Sequence, residues 1–488
     1  LEPLPDIDFN IRAGNTLIGF ATENELLQTI QKKDALFAQS KLEEFKEEFE
    51  LVSKAFGHFQ NSQLINDQGS DSFKQAKAQL VAKLKELNHK LNVYLATNYG
   101  IDAERKPKEY QAWLHSHQPF HWFAEFYQIV AASGGFDCII GNPPYVEYSK
   151  ISKTYSLKGY DTIKCGNLYS YVVERSLSLL NNGNVGMIIP LSSICTKRMT
   201  PYSKLIRKYS TWNSFYSERP AKLFDGAEVQ LTVTILSKES RMHNDLRTTK
   251  YIKWEADNRD YLFDGIFYQT NPIIEKEYSV PKIGSETEDK IIDKIYSNGE
   301  EIGLLQKKNG PYVTYRNAGG RYYKIALNEE PMFKVNDIQK RSSTYQFLHF
   351  NDKVISNAIC SIMNSSLFFF HWLTFSDTWH MIGSDIKPFK IPLKGREKLS
   401  ELNLVLMNDF IEKSSVKIES RNQGKDKIEY RQFIARNSKP IIDQIDTVLA
   451  EYYGFTEAEL DFIINYDIKY RMGKALFGAT DDSEEDED

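Results

Sequence analysis

A doubly wound α/β sheet, incomplete at its N-terminus, interrupted by a helical insertion and followed by a mixed α+β region and a helical C-terminus, is the fold this sequence predicts. Three observations carry that expectation. The apolar run Phe136 to Ile140 is bounded by Gly134-Gly135 on one side and Gly141 on the other, which suits a parallel strand buried on both faces and ending at a ligand crevice. That run, the helical pattern "SYVVERSLSLL" and the apolar stretch "NVGMIIPLSSI" follow one another, the order of a right-handed βαβ crossover. From Glu23 to Asn98 apolar residues recur at three and four spacing among many Glu and Lys, the period of long amphipathic helices.

Taken in order, Phe9 to Gly19 reads as a short strand closing in a Gly14-Asn15 turn. Residues 20–118 form the insertion, two charged helices joined by the polar loop "GHFQNSQLINDQGSDS" and expected to protrude as an antiparallel hairpin. Pro119 to Phe126 brings the chain back, with His121 and Trp122 anchoring the insertion rather than joining a site. Residues 1–19 and 119–242 together make the sheet core. In it, the helix after Asn167-Leu168-Tyr169 takes Gly183 as its C-cap, and Val229 to Leu236 alternates as a strand. Residues 243–397 are mixed, aromatic and basic, with Phe368-Phe369-Phe370 as core. Residues 398–475 read as helical, with Asp443, Asp446, Glu451 and Asp461 on solvent faces. Residues 476–488 form an acidic tail.

The 488 residues suggest two to four domains. Cys138, Cys165, Cys195 and Cys360 are far apart and form no CxxC pair, so neither a zinc knuckle nor a disulfide framework is indicated, and a reducing cytoplasm fits. No apolar run approaches the roughly 20 residues of a membrane span. The net charge is −5, but the seven carboxylates between Asp481 and Asp488 more than account for it and leave the body at +2. Affinity for a polyanion would therefore come from local patches rather than net charge. The opening at Leu1, directly on a strand-like segment, reads as a piece of a longer polypeptide.

Chemistry is expected at Asn142-Pro143-Pro144-Tyr145, directly after the glycine-bounded strand. Two consecutive prolines fix two φ angles and remove two donors, leaving carbonyls to accept from a ligand. Asn142 Oδ1 and the Pro143 carbonyl can each accept one N–H of an amino group on a planar substrate, while Tyr145 offers a flat face. A tight strand-exit turn without chemistry is the plainer alternative.

This signature, with the apolar strand before it, resembles the amino-methyltransferase motif of adenine-N6 DNA methyltransferases. Protein glutamine methyltransferases share the tetrapeptide but need no recognition domain of this size. Asn167-Leu168-Tyr169, the strand ending at Pro190-Leu191-Ser192 and "LFDGAEVQLTVTIL" follow in the order of that family, and "IDQIDTVLAEYYGFTEAELDFIINYDIKYRMG" is similar to the C-terminus of the single-chain type IIG restriction-modification family. The resemblance implies S-adenosylmethionine as methyl donor, no metal, and double-stranded DNA as partner. It implies a target adenine flipped between Tyr145 and Phe224, cofactor contacts from Asn15 and Asn142, and a catalytic turn of Asn142, Pro143, Pro144 and Tyr145. Residues 243–397 would be the target-recognition domain, with Arg316, Arg321 and Lys324 on DNA. The glycine-rich loop that holds the methionine end of the cofactor has no counterpart here, which leads to the expectation that it lies upstream and that this stretch alone is inactive. The alternative in another class is a non-catalytic, sequence-specific DNA-binding module.

Overall fold

The computed structural model describes residues 9–473, apart from 34, 65–70, 227, 240–244, 275, 320–322, 393 and 422–425. Residues 1–8, the acidic tail and Arg321 thus lie outside the described residues. The chain divides into two compact units, Leu1–Asn213 with Val229–Leu246, and Ser214–Glu228 with Arg247–Asp488.

The first unit is built on helices α1 (Glu23–Lys33), α2 (Ala38–Leu64), α3 (Asp71–Thr97) and α4 (Pro107–His117). In α3 the buried side chains include Phe73, Ala76, Leu80, Leu84, Leu87, Leu91 and Leu95, the three and four spacing that the sequence displays. Expected as a protruding arm, these helices instead share one apolar core with Phe9, Leu17, Ile18, Phe123, Leu168 and Tyr171. Phe49 of α2 meets Phe123 edge-on at 4.5 Å and stacks on Tyr127 at 5.0 Å. Burying such rings is worth about 2 kcal/mol each, so the apolar stripe cannot be left in water. The expected loop from Gly57 to Ser72 is also shorter, because α2 continues through Gly57 to Leu64.

No strand forms at Phe9 to Gly19 among the described residues; Asn15 makes a single bridge to Pro119. The amide of Asn15 donates to Gln118 O at 2.8 Å and that of Phe120 to Ile18 O at 2.7 Å. Gly19 lets the two segments approach closely, since its φ is +138° and a Cβ would sit 2.0 Å from Phe120 O.

The sheet of this unit sets β1 (Phe136–Gly141) parallel to β2 (Leu180–Pro190), and β2 antiparallel to β4 (Leu231–Ser237), with β3 (Ser210–Tyr216) between them in sequence. The crossover from β1 to β2 carries α5 (Leu168–Leu179), as the βαβ pattern predicts. Two details differ from expectation. Gly183 is no helix cap: α5 ends at Leu179 and Gly183 lies inside β2, where a Cβ would be 1.9 Å from Asp137 O of β1. And β1, expected to be buried on both faces, is an edge strand with Asp137, Cys138 and Ile140 exposed, Ile140 to 82%. Its apolar character lacks, among the described residues, the second neighbour that would cover it.

His121 anchors the insertion, as its aromatic setting predicts. Phe20 N donates to its Nδ1 at 3.1 Å, and its Nε2 faces Asn92 Oδ1 of α3 at 3.0 Å. Complete burial, and then the Arg175 charge, hold its pKa down at about 3. The unfolded chain takes up this proton near pH 6.5 and the folded chain near 3, so stability present at neutral pH is lost as pH falls through that window. At pH 5 the loss attributable to His121 should be about 2 kcal/mol. Urea midpoints at pH 7 and 5 check this: His121→Gln should flatten the acid-dependent loss, and an equal loss in both proteins would overturn the assignment.

In the second unit, Lys307–Arg316 pairs with Tyr345–His349 and Ala326–Leu327. The buried helices Lys353–Met363 and Ser366–Phe375 form its centre, Phe368, Phe369 and Phe370 each being at most 2% exposed. The region from 398, read as helical, contains the hairpin Ser415–Arg421 with Asp426–Gln432, which pairs with Phe333–Val335. Lys417, Glu419 and Tyr430 alternate across that hairpin with Val416, Ile418 and Glu429, a period of two. Asp446 is not on a solvent face. It is 2% exposed and accepts from Ser366 N and Leu367 N at 3.1 and 3.0 Å, capping the second buried helix, and burial pushes its pKa up to about 6.

Candidate active site

The turn after β1 stands where backbone register forces it. Gly141 pairs with Met187 of β2, and a Cβ there would approach the Met187 sulfur to 3.1 Å, so the strand exit lies flat on its neighbour. Asn142 follows exposed, Pro143 buried, Pro144 exposed and Tyr145 half-buried. The Tyr145 hydroxyl donates to Ile188 O at 3.0 Å, one residue beyond the Met187 pair, and burial pushes its pKa up to about 12. Its polar end is thus spent on the sheet and its ring is held in one orientation. The Asn142 side chain makes no hydrogen bond to any described residue, so its carbonyl oxygen is free to accept from a ligand.

The exit from the turn is tied to the start of α5. Leu168 N donates to Val146 O at 3.0 Å and Tyr148 N to Gly166 O at 2.9 Å, an antiparallel bridge of Glu147 with Asn167. Gly166 takes a left-handed φ of +68°, and Asn167 is the N-cap residue of α5. The two motifs singled out separately in the sequence, Asn142 to Tyr145 and Asn167 to Tyr169, are therefore brought side by side.

Asn15 lies in the same unit, half-buried. Its Oδ1 accepts from Leu17 N at 3.2 Å. It shapes its own turn before it can offer anything to a ligand. That turn is held by residues the sequence reasoning missed. Arg175 of α5 donates from Nε to the Tyr160 hydroxyl at 3.1 Å, from Nη1 to Glu25 Oε1 at 2.7 Å and from Nη2 to Gly19 O at 3.4 Å, and Tyr160 donates to Leu17 O at 2.7 Å. The available signal was position: Arg175 falls four residues after Tyr171 and seven after Leu168, on the buried face of its helix.

The remaining candidates belong to the second unit. Phe224 is half-buried in a turn whose preceding carbonyls, Lys222 O and Leu223 O, accept from the Arg259 guanidinium at 3.3 and 2.8 Å. Arg316 is exposed at the end of its strand. Lys324 corrects the expectation of a DNA contact: it is 6% exposed, its ammonium donates to Gly319 O and Trp379 O, and it lies 4.3 Å from the centre of the Trp372 ring. A lysine so enclosed supports its own loop and cannot reach a phosphate.

Residues 64–224 match the model of the Eco57I restriction-modification methylase family. A Methanocaldococcus jannaschii protein named as a type II restriction enzyme and methyltransferase is 24% identical over 302 residues, covering 52% of this chain. The chain spans about a quarter, 25%, of the length of that curated relative. Among solved structures, the type IIL restriction-modification enzyme MmeI in complex with DNA aligns at a TM-score of 0.39 and 12% identity over 80% of this chain and 64% of MmeI. The DrdV–DNA complex aligns at 0.32 and 11% over 70% and 57%. A nuclease-deletion mutant of the type ISP enzyme LlaGI aligns at 0.34 and 10% over 63% and 40%. The stretch that bears the Asn142 to Tyr145 turn, the α5 crossover and the Phe224 loop is thus similar in sequence to a restriction-modification methylase of the Eco57I kind.

Proposed function

We propose that this chain is the part of a site-specific DNA methyltransferase, of the type IIG restriction-modification kind, that methylates adenine N6 in duplex DNA. The observation that carries the reading is the exposed, unpartnered Asn142 amide on a proline-locked turn beside the tethered ring of Tyr145. Asn142 Oδ1 and the Pro143 carbonyl accept the two N–H groups of an exocyclic amine, which aims its lone pair away from the turn. Tyr145 stacks on the ring that bears the amine, and Phe224 is the second residue we propose for base stacking. Because a paired adenine keeps N6 inside the stack, the base must be flipped, at a cost of a few kcal/mol that the two stacking contacts offset.

S-adenosylmethionine supplies an electrophilic methyl group when bound, and Asn15 and Asn142 are the residues we assign to it. The fit is partial. Asn142 is free, whereas Asn15 already serves Leu17 N, and no glycine-rich loop joins a strand to a helix among the described residues. We therefore place the methionine end of the cofactor against an upstream segment that would also pair with the exposed edge of β1, and expect cytoplasmic action by the joined polypeptide. Incubation of the polypeptide joined to its upstream segment with radiolabelled cofactor and either duplex DNA or protein tests the reading. Label in adenine supports it, label in protein glutamine or none overturns it, and site-selective DNA binding without label would favour a non-catalytic module.

Tyr145→Ala and Phe224→Ala should each weaken capture of the flipped base by about 1 to 3 kcal/mol. Fluorescence of 2-aminopurine at the target position reads this directly. An unchanged signal for Phe224→Ala would make Phe224 a packing residue.

A further inference from the structure

We infer that the surface beside the Asn142 to Tyr145 turn, formed by Tyr148–Lys153, Asp161–Gly166 and Lys197–Lys208, is a phosphate-binding face for duplex DNA, separate from any recognition domain. The inference rests on the DNA reading above.

Residues 197–208 hold five cations and no carboxylate, in a chain whose net charge is −5. Lys150, Lys153, Lys164, Lys197 and Lys208 are exposed, and their ammonium groups make no hydrogen bond or ion pair with any described residue. The three segments are joined in space. Tyr148 N donates to Gly166 O at 2.9 Å, and Arg198 bonds Glu147 at 3.1 Å. Both Lys197–Met199 and the helix α6 (Thr200–Ile206) pack against Asp161–Cys165. Two carboxylates beside these segments are occupied: Glu147 is held by Arg198, and Glu174 accepts from Asp161 N, Thr162 N and the Thr162 hydroxyl. Asp161 is exposed.

Lys150, Lys153, Lys164, Lys197 and Lys208, gathered on one surface, repel one another, and a polyanion relieves that repulsion while releasing its own condensed counterions. No exposed large hydrophobic residue falls between positions 148 and 208, so the surface lacks the apolar centre of a protein interface. It lies against the strand exit that presents Asn142, and a flipped base stays covalently attached to the backbone that flanks it. A duplex seated on these lysines would therefore deliver its phosphates next to the turn. Such contacts position the duplex without reading its sequence.

The test uses the full chain and a fluorescein-labelled duplex of about 30 base pairs, titrated by anisotropy between roughly 50 and 300 mM KCl, the range over which phosphate contacts dominate. Lys164→Gln, Lys197→Gln and Lys208→Gln combined should lower the slope of log affinity against log salt by about 2 to 3, close to one per lost phosphate contact. The loss should be equal for a cognate and a scrambled duplex, with thermal unfolding unchanged, and the three Lys→Arg replacements should restore the slope. An unchanged slope in the glutamine variant, while the parent chain binds DNA, overturns the assignment alone. Loss of binding to polyglutamate but not to DNA overturns it in favour of an acidic peptide. Failure of the parent chain to bind any duplex overturns the DNA reading together with it.

Discussion

Asn142→Ala is expected to cut methyl transfer to adenine by about a hundredfold or more, the usual cost of removing one preorganised polar group that acts on the reacting centre. Stability should change by no more than about 0.5 kcal/mol, as for other exposed positions. The contrast follows from placement. The side chain is exposed and bonds no described residue, so its loss strands no buried partner and opens no cavity. The prolines after it keep the backbone in place whatever residue stands at 142. Incorporation of label by the parent and variant proteins, in whichever length of the polypeptide methylates, decides the matter. Normal turnover in the variant would remove Asn142 from the mechanism, and a large fall in unfolding temperature would show that it serves the fold.

Arg175→Ala should instead cost about 3 kcal/mol of stability, because it removes a buried guanidinium together with its half-buried ion pair to Glu25 and its buried hydrogen bonds to Tyr160 and Gly19 O. Arg175 is 9% exposed and ties α5 to the Leu17–Gly19 turn through Tyr160, Glu25 and the Gly19 carbonyl. For a unit of this size, that should lower the unfolding temperature by about 6 to 12 °C. Arg175→Lys should recover only part, since a single ammonium cannot reproduce a three-way fork. Glu25→Gln should cost less than either arginine variant, because the Glu25 side chain is 36% exposed and is already partly hydrated. A change under about 1 kcal/mol in Arg175→Ala would mean that packing alone holds the turn.

Local signals decided a good deal here. The α3 stripe, the β1–α5–β2 crossover, the β4 alternation and the core triplet Phe368 to Phe370 were all legible, because each depends on a short period or a run of apolar residues. The turn at Asn142 to Tyr145 was legible for a similar reason, since proline restricts its own backbone regardless of context. What misled were residues whose local preference is overruled by a distant neighbour. Gly183 looks like a helix cap, yet it is required in β2 by the Asp137 carbonyl. Lys324, set among arginines and tyrosines, looks like a groove contact, yet it is enclosed beneath Trp372. Asp446 looks solvent-facing, yet it caps a helix 80 residues away.

By itself, then, the sequence determined α3, the β1–α5–β2 crossover, β4 and where a rigid polar turn must stand, since backbone restriction and hydrophobic period act over a few residues. It did not determine the absence of a strand at Phe9 to Gly19 or the hairpin from Ser415 to Gln432. Only the tertiary structure decided which charges are spent and which are free: that Arg175 and Lys324 are committed inside, whereas Asn142, Lys150, Lys153, Lys164, Lys197 and Lys208 are exposed and bond no described residue. Desolvation and hydrogen bonding depend on what surrounds a side chain in three dimensions, and those surroundings are assembled from residues far apart in the chain.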